Sequence, residues 1–401
     1  MNNKTIHKKV NLNIVLGIIL CFLSFDLITK IFHVYNIGGF NRYSAIPKLL
    51  LEIFLIYLFF KNSKKDIKGA SCIAILVIMS GINLFFTDEK ITTDLLFEKV
   101  YDLNKYMYSF FFAIVLLAYE KDKQTKILTY IRNVLLFVGI VNGIFMIIGL
   151  FTDIELLRSY SGTRRFGYNG LFVKTSETSY MYILLIISTY YQYIKTNKNG
   201  LLCLFFIFVS LLIGTKAIWL FIMLLTGIHL LLNKNKFIRN FSKIGLVLGV
   251  ISSYVFYDHI VKLVVNSFSF GPSIYKEYGF LTVLTSKRDL LLKSTIEYLN
   301  EKGTILNYLF GGINIRDYGA EFEIVDIFIF FGILGVIIFA YLIRRTYFKE
   351  FAGIHKILLL ISLILVTFFA GNFFMSIMCS IFAFVIFQNM DYYDVPDKSD
   401  S

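Results

Sequence analysis

The sequence predicts an all-α membrane protein, a polytopic bundle of about twelve transmembrane helices. Hydrophobic residues make up 57% of its 401 residues, and only three residues are proline. A soluble domain of this length needs more polar residues to cover its surface. The apolar residues form long runs separated by short basic segments, the pattern of successive membrane helices. No Pro/Gly/Ser-rich linker divides them, so residues 1–390 are predicted to form one membrane domain.

Twelve apolar runs are candidate spans, judged against the roughly 20 residues that cross a bilayer. They cover residues 11–32, 46–60, 69–86, 105–119, 127–150, 178–194, 200–213, 216–232, 244–264, 324–343, 357–370 and 372–388. Several are short, which favours tilted or re-entrant helices at those positions. The first run follows a basic N-terminus without a small-residue cleavage site, so it is predicted to be a retained span.

Positive charge alternates along the connections and predicts the orientation. Lysine and arginine concentrate at 4–9, 61–68, 121–126, 195–198, 234–243 and 344–356, which the positive-inside rule places in the cytoplasm. The remaining connections lie outside and include two loops, at about 151–177 and 266–322. Both termini are then cytoplasmic, with a polar tail at 391–401. This distribution accounts for the net charge of +13, so nucleic acid is not a predicted partner.

The first outer loop leads into the sixth span through RRFGYNGLFVKTSETS, at 164–179. Arg164 and Arg165 run against the positive-inside bias, and arginine presents a planar fork of donors that suits phosphate oxygens. Lys174 adds a point charge. Glu177 stands at the start of the span, where a functional carboxylate and a helix-capping carboxylate are equally open interpretations.

Further cations occur in the long loop and in the connection before the eighth span. The segment KRDLLLKSTIEYL, at 287–299, predicts an amphipathic helix with Arg288 as a functional cation and Lys293 as an interfacial anchor. Its apolar side is expected to hold Leu290, Leu291, Ile296 and Leu299. Lys216, in GTKAIW, is either a phosphate contact or a snorkelling anchor, and the sequence slightly favours the contact.

Two carboxylates stand where the long loop enters the tenth span. Glu323 and Asp326 are three residues apart, so they share one face if this segment is helical. An ionisable group just inside an apolar span is costly and marks a functional site. Removal of water and a neighbouring carboxylate raise the pKa of such a group, which lets it accept a proton near neutral pH. The alternative is a helix-start charge that complements the helix dipole.

Cysteine and histidine give no sign of a metal site. The four cysteines all fall inside apolar runs, and the five histidines are scattered without the HExxH spacing. A P-loop is also missing from the sequence. Neither a metal nor another cofactor is therefore predicted.

Taken together, these motifs resemble the Wzy-type polymerases, the family that polymerises O-antigen or capsular repeat units. RFGYNGLFVKTSETS is similar to that family's loop, in which an arginine and Gly-Leu-Phe precede a Glu-Ser or Ser-Glu pair before a span. GTKAIW resembles its Ser/Thr-Arg/Lys segment. SKRDLL, LFGGIN and EFEIVDIFIFFGILG together resemble its late loop, with an arginine helix, a Leu-Phe-Gly turn and an acidic or His-Asn pair before a Gly-x-x-Gly span.

The resemblance implies a GT-C-like glycosyltransferase that works without a metal in the bacterial cytoplasmic membrane, with its active site facing the periplasm or exterior. Its donor would be a glycan on undecaprenyl diphosphate, and its acceptor a lipid-linked repeat unit. Membrane lipids, a chain-length regulator and flippase proteins are the other implied partners. The diphosphate would be bound by Arg164, Arg165, Lys174, Lys216 and Arg288. The acceptor hydroxyl would be deprotonated by Glu323, Asp326 or Glu177.

Two other functions fit part of the pattern. One is a flippase or transporter of the same lipid-linked oligosaccharide, and the other is an O-antigen ligase with a different acceptor. A transporter is expected to carry its charges along the midplane of the spans rather than in a long outer loop. The loop and its carboxylates therefore favour transfer chemistry over transport, but they do not separate a polymerase from a ligase.

Overall fold

A computed structural model describes residues 3–38, 43–62, 66–86, 92–162, 165–266, 271–348 and 353–393, and these ranges contain helices and turns but no strand. The first nine helices are α1 Asn3–Val34, α2 Ala45–Asn62, α3 Ile67–Ile82, α4 Thr93–Leu117, α5 Lys121–Thr152, α6 Thr175–Thr196, α7 Gly200–Leu211, α8 Lys216–Leu231 and α9 Lys236–Val255. The next nine are α10 Tyr257–Asn266, α11 Gly271–Tyr278, α12 Phe280–Thr285, α13 Arg288–Lys302, α14 Ile305–Phe310, α15 Ile315–Tyr318, α16 Glu323–Tyr347, α17 Ile354–Ala370 and α18 Ile377–Tyr393. The predicted all-helical class is confirmed.

Within the ranges that the structure describes, three helices are long and apolar enough to cross a membrane. They are the segment Gly17–Val34 of α1, the whole of α5 and the whole of α16. Five shorter apolar helices of 10–17 residues accompany them, namely α3, α7, α8, α17 and the segment Ile377–Met390 of α18. These lengths fit a helical membrane protein, while the number of twelve spans stays a prediction. The predicted tail at 391–401 lies mostly outside the described residues.

Two predicted segments differ from the structure. The ninth span, 244–264, is divided between α9 and α10, which meet at Phe256. The long loop contains the five helices α11 to α15. Of these, α13 is the helix predicted at 287–299, but the side that it buries differs from the predicted apolar side. Thr295 and Leu299 of α13 are buried, whereas Leu291 and Ile296 are exposed. The reason is that α13 packs on α15, where the Thr295 hydroxyl donates to the Tyr318 carbonyl at 2.6 Å.

The innermost helix is α6, because every residue from 177 to 191 is buried. It packs against α7, α8, α17 and α18. Aromatic side chains fill the neighbouring space between α4 and α16, where the rings of Phe110 and Phe339 meet edge to face at 5.0 Å. Such edge contacts add specific geometry to apolar packing. The helices α6 and α16 are therefore both anchored in a packed core.

The connections that the sequence predicts to lie outside are found together at one end of the bundle. Three hydrogen bonds join four of them in turn: the Tyr168 N–H to the Leu212 carbonyl at 2.7 Å, the Lys216 ammonium to the Leu284 carbonyl at 3.1 Å, and the Arg288 guanidinium to the Phe369 carbonyl at 2.7 Å. The opposite end holds connections predicted to be cytoplasmic, and Arg345 pairs there with Asp66 at 2.7 Å. We call the first end the rim.

The orientation can be tested by cysteine labelling. Lys276 in α11 belongs to the rim side and Lys236 in α9 to the other side, and both are exposed. In a variant with the native cysteines replaced by serine, Lys276→Cys is expected to react with an impermeant maleimide on intact spheroplasts. Lys236→Cys should react only after the membrane is opened, because the positive-inside rule places it in the cytoplasm. The reverse pattern would contradict this topology.

A break in α16 attaches the long loop to the bundle. Gly332 has φ 67° and ψ −179°, a conformation that is open to glycine and strained for other residues. The break frees two carbonyls of α16, and the LFGGIN turn satisfies them: the Gly312 N–H donates to Phe330 at 3.1 Å and the Ile313 N–H to Ile329 at 3.2 Å. The turn therefore lies against α16 one to two turns from Glu323 and Asp326.

Candidate active site

The glycine-rich loop before α6 is held from inside the bundle. The ammonium of Lys30, a buried residue of α1, donates to the Asn169 side chain at 2.5 Å and to the Gly170 carbonyl at 2.6 Å. From α5, the Asn142 side chain accepts from the Leu171 N–H at 2.7 Å. These buried polar groups satisfy one another and fix the loop in one conformation.

Arg165 stands on this fixed loop at the rim. Its guanidinium lies over the ring of Tyr160, 3.9 Å from the ring centre, a cation–π contact that holds the side chain in place. The neighbouring Arg164 lies outside the described residues. Arg165 is partly exposed, so its guanidinium combines a fixed position with access to solvent.

Lys216 and Arg165 are brought together at the rim by the connection before α8. The Lys216 ammonium donates to the carbonyls of Val283 and Leu284, at 2.5 and 3.1 Å, and to the Ser286 hydroxyl at 2.9 Å. A cation at the C-terminal end of a helix, here α12, is favourable because the carbonyls there carry partial negative charge. The charges of both Arg165 and Arg288 act on this ammonium.

Arg288 opens α13 and connects three segments. Its Nε donates to Glu321 at 3.1 Å, and its Nη1 donates to the Phe369 carbonyl at the end of α17. Ser286, Lys287 and Glu321 all have positive φ, so the chain turns sharply on both sides of this pair. The rim therefore carries three cations from three different connections, with one half-exposed carboxylate, Glu321, beside them. We call Arg165, Lys216 and Arg288 the rim cations.

The start of α13 is held by Asp289, whose carboxylate accepts from the hydroxyls of Thr282 and Thr285 at 2.5 and 2.7 Å. Partial burial opposes ionisation of Asp289, but these hydroxyl donors and the backbone N–H groups of Asp289 and Leu290 outweigh it and lower its pKa. A carboxyl with a lowered pKa stabilises the folded state above its usual pKa of about 3.9, and this contribution is lost as the pH falls through the folded-state value.

Amide hydrogen exchange over 280–302 is expected to report this contribution. Protection of wild-type α12 and α13, corrected for intrinsic exchange, should fall between pH 6 and pH 3. Asp289→Asn should lower it already at pH 6, by about 1–2 kcal/mol for the weakened hydrogen bonds. Glu297→Gln, an exposed change in the same helix, is the matched control. Equal protection of the wild type and Asp289→Asn at pH 6 would contradict the assignment.

Glu323 and Asp326 occupy the first turn of α16, as the sequence predicted for one helical face, and the two charges interact. Glu323 is only 3% exposed. Its two oxygens accept from the Phe373 N–H at 2.6 Å and the Phe374 N–H at 2.9 Å. Asp326 accepts from the Ala320 N–H at 2.8 Å. Both carboxylates are thus held by backbone donors of neighbouring connections and lie below the surface of the rim.

Glu177 is buried at the start of α6 and meets groups from three other segments. Lys174 lies 3.6 Å away, and the Ser376 side chain shares a hydrogen bond with the Glu177 carboxylate. The charge of Lys48, from α2, also acts on it. Lys48 in turn pairs with Asp26 of α1 at 3.7 Å. The helix-capping alternative is therefore insufficient, because Glu177 belongs to a network of charges that extends into the bundle.

The connection between α17 and α18 is the common partner of these groups. It accepts from Arg288 at Phe369, donates to Glu323 at Phe373 and Phe374, and reaches Glu177 through Ser376. The Tyr180 hydroxyl of α6 adds a hydrogen bond to the Gly371 carbonyl, at 2.6 Å. A movement of this connection would therefore displace the side chains of Arg288, Glu323 and Glu177 together.

The structure separates the predicted residues into two groups. Arg165, Lys216 and Arg288 meet at the rim, and the charge of Arg288 also acts on Asp326. Glu177, Glu323 and Asp326 lie deeper, around the α17–α18 connection. Lys174 lies beside Glu177, with its side chain 64% exposed.

Sequence reasoning missed four contributors to this site, namely Lys30, Lys48, Tyr180 and Ser376. Lys30 and Lys48 had a usable signal, because a lysine inside an apolar run is costly and needs a partner. Tyr180 and Ser376 had none, since tyrosine and serine are common in membrane helices. Glu321 belongs to the same acidic segment as Glu323 and Asp326, but it was not among the predicted site residues.

The fold and this site define a class: a helical, membrane-type protein that gathers cations and carboxylates at one end of its bundle. Compared with known proteins, the chain matches no family model, no curated protein and no solved structure. Its function is therefore inferred from the residues of the rim and of the α17–α18 connection.

Proposed function

We propose that this protein is a Wzy-type glycosyltransferase, which joins undecaprenyl-diphosphate-linked repeat units into O-antigen or capsular polysaccharide. It works at the outer face of the bacterial cytoplasmic membrane. The observation that carries the proposal is that the segments bearing Arg165, Lys216 and Arg288 lie in contact at one end of the bundle: the loop of Arg165 bonds to the connection before Lys216, and Lys216 bonds to Ser286, two residues before Arg288. Three like charges repel one another in the free protein, so an anion of high charge density is the ligand they suit.

A lipid-linked diphosphate is such an anion, and its polyprenyl chain suits the apolar flanks of the helices. Arginine forks and a lysine point charge together match two phosphate groups. In the transfer step, the acceptor hydroxyl oxygen attacks the anomeric carbon of the donor glycan, and the bond from that carbon to the diphosphate breaks. Undecaprenyl diphosphate leaves with the electron pair, and the rim cations stabilise the charge that develops on it.

The acceptor proton passes to a carboxylate in the proposed mechanism. Glu323 is the first candidate, and Asp326 and Glu177 are the others. Two N–H groups of the α17–α18 connection bind the Glu323 carboxylate in the structure, so this carboxylate becomes free to act as a general base when the connection moves. Since Glu323 is buried, access of the acceptor includes a displacement of the α17–α18 connection. That displacement also moves the Phe369 carbonyl away from Arg288 and releases this guanidinium for the diphosphate.

Reconstitution with defined substrates tests the proposal. Purified protein in liposomes is supplied with an undecaprenyl-diphosphate-linked repeat unit, alone or together with an acceptor glycolipid, and the products are separated by length. Growth of lipid-linked chains with release of undecaprenyl diphosphate is the expected result. Translocation of unchanged substrate indicates the flippase, and transfer to a different acceptor glycolipid indicates the ligase; either product alone would overturn the polymerase. Partner proteins that regulate glycan length or flip the substrate are omitted, so that any growth of the glycan is catalysed by this protein.

A further inference from the structure

A buried tyrosine of α4 lies against the face of α16 that carries two of the candidate bases. Tyr106 is fully buried, and its ring centre lies 5.4 and 5.5 Å from those of Phe330 and Phe331. Phe330 follows Asp326 by four residues and Glu323 by seven, so these three residues share one face of the helix. Tyr106 therefore packs on the face of α16 that bears both carboxylates.

The hydroxyl of Tyr106 is directed along α4 towards the rim. Side chains of an α-helix tilt towards its N-terminus. The N-terminal part of α4 lies at the rim, where Glu98 pairs with α15. The charges of Glu323, Asp326 and Asp102 all act on this tyrosine, and that of Glu323 acts most strongly. The hydroxyl is therefore a neighbour of the first candidate base.

This hydroxyl is a buried donor without an acceptor. The Tyr106 oxygen has no hydrogen-bond partner among the described residues. Such groups are rare in packed cores, because burial takes away their contact with water. The neighbouring carboxylates have donors of their own: the α17–α18 connection binds Glu323, and the Ala320 N–H binds Asp326. In this arrangement the tyrosine is a donor in excess.

Movement of the α17–α18 connection, which the proposed transfer step includes, reverses this balance. It takes the N–H groups of Phe373 and Phe374 away from Glu323. A buried carboxylate without donors is costly, so a replacement donor is then favourable. Tyr180 of α6 is a second tyrosine on which the charge of Glu323 acts, but its hydroxyl already donates to the Gly371 carbonyl. The unpaired hydroxyl on α4 is the better replacement.

We infer that Tyr106 is a positioning residue for the general base, whose hydroxyl donates to the Glu323 carboxylate once the α17–α18 connection has moved. This role rests on the proposed function, because the transfer reaction is what requires a free and oriented base there. The new bond favours the charged form of the carboxylate and fixes its orientation towards the acceptor hydroxyl. When the connection returns, its N–H groups bind Glu323 again.

The thermal stability of the substrate-free protein tests whether the hydroxyl is unpaired at rest. Tyr106→Phe removes a buried polar group that has no partner, so Tm in detergent is expected to stay the same or rise. Tyr347→Phe is the matched control, because this buried tyrosine of α16 donates to the Ser380 carbonyl at 3.1 Å. Its Tm should fall. An equal fall in both variants would show that Tyr106 is already bonded at rest, and would overturn the inference.

The pH dependence of polymerisation tests the role of Tyr106 in the reaction. In Tyr106→Phe the rise of the rate is expected to lie about one pH unit higher, since a hydrogen bond to the charged form of a carboxyl favours that form. The variant is then about tenfold slower on the rising part of the profile and regains the wild-type rate at high pH. Tyr347→Phe should keep the wild-type position of the rise. In a Glu323→Gln background, Tyr106→Phe should have no further effect.

The outcomes separate this role from the proposed function. Absence of polymer from the wild type overturns the proposed function, and the role of Tyr106 with it. If the wild type polymerises, an unshifted profile in Tyr106→Phe overturns the role alone, as does a rate lowered by one factor at every pH. A shifted profile in Tyr180→Phe but not in Tyr106→Phe would assign the donor to α6 instead and would likewise overturn the inference.

Discussion

Arg165→Ala and Arg288→Ala are each expected to abolish polymer formation while the amount of protein in the membrane stays normal. In the proposed mechanism each change removes a donor to the leaving diphosphate, and the loss of such a donor typically lowers the rate about 10²- to 10³-fold. The measurement is chain growth from the lipid-linked repeat unit by purified protein. Lys293→Ala, in the same helix as Arg288 and exposed, is the matched control and should keep wild-type activity. Full activity in both alanine variants would end the assignment.

Lysine in place of either arginine should rescue only part of the activity. Lysine keeps the charge but loses the planar fork that binds two oxygens at once. At position 165 it also loses the stacking of a planar guanidinium over Tyr160. A lysine variant with full activity would mean that charge alone is required there, and the bidentate contact would be rejected.

The structural partners of Arg288 require a further comparison. Because Arg288 pairs with Glu321, its loss leaves a carboxylate at the rim that could repel the diphosphate by itself. The double variant Arg288→Ala/Glu321→Ala removes both charges. If Arg288 serves only to neutralise Glu321, the double variant should recover activity. If Arg288 binds the diphosphate, as proposed, the double variant stays inactive.

Much of the architecture follows from local sequence patterns. Apolar runs predict the helices, and the alternation of basic connections predicts which connections meet at one end. The segment KRDLLLKSTIEYL likewise predicts α13. What local patterns cannot give is the break in α16, because the apolar run continues through Gly332 and only the positive φ of that glycine interrupts the helix. The docking of the LFGGIN turn depends on this break.

The same limit applies to the candidate site. The sequence identifies the rim cations by type, since arginines in loops that are predicted to lie outside run against the positive-inside bias. It does not identify their partners, because Arg288 reaches Phe369 and Glu177 reaches Ser376 across more than 80 residues of chain. The sequence predicts that Glu323 and Asp326 lose water just inside the span, and both are buried, but it does not predict that Glu323 is held by N–H groups of the α17–α18 connection. Such long-range pairing is a property of the folded bundle.

Glu323→Gln is expected to lower polymerisation by about 10²-fold or more, the usual contribution of a general base. Asp326→Asn and Glu177→Gln test the other candidates in the same assay, and Glu297→Gln is the control on an exposed carboxylate. A glutamine at 323 keeps the size of the side chain but offers one acceptor instead of two, so it also weakens the hold on Phe373 and Phe374. A loss of rate alone therefore does not distinguish a base from a positioning residue.

The pH dependence of the rate separates the two roles. If Glu323 is the base, the wild-type rate rises with pH as this carboxyl loses its proton, and Glu323→Gln loses that rise. If Glu323 only holds the α17–α18 connection, the rate of the variant is lower by the same factor at every pH and still rises with pH.

Treatment with EDTA tests the prediction that the reaction needs no metal. A divalent ion that restores an EDTA-inactivated enzyme would show the metal-free mechanism to be wrong, as would wild-type rates in all three carboxylate variants.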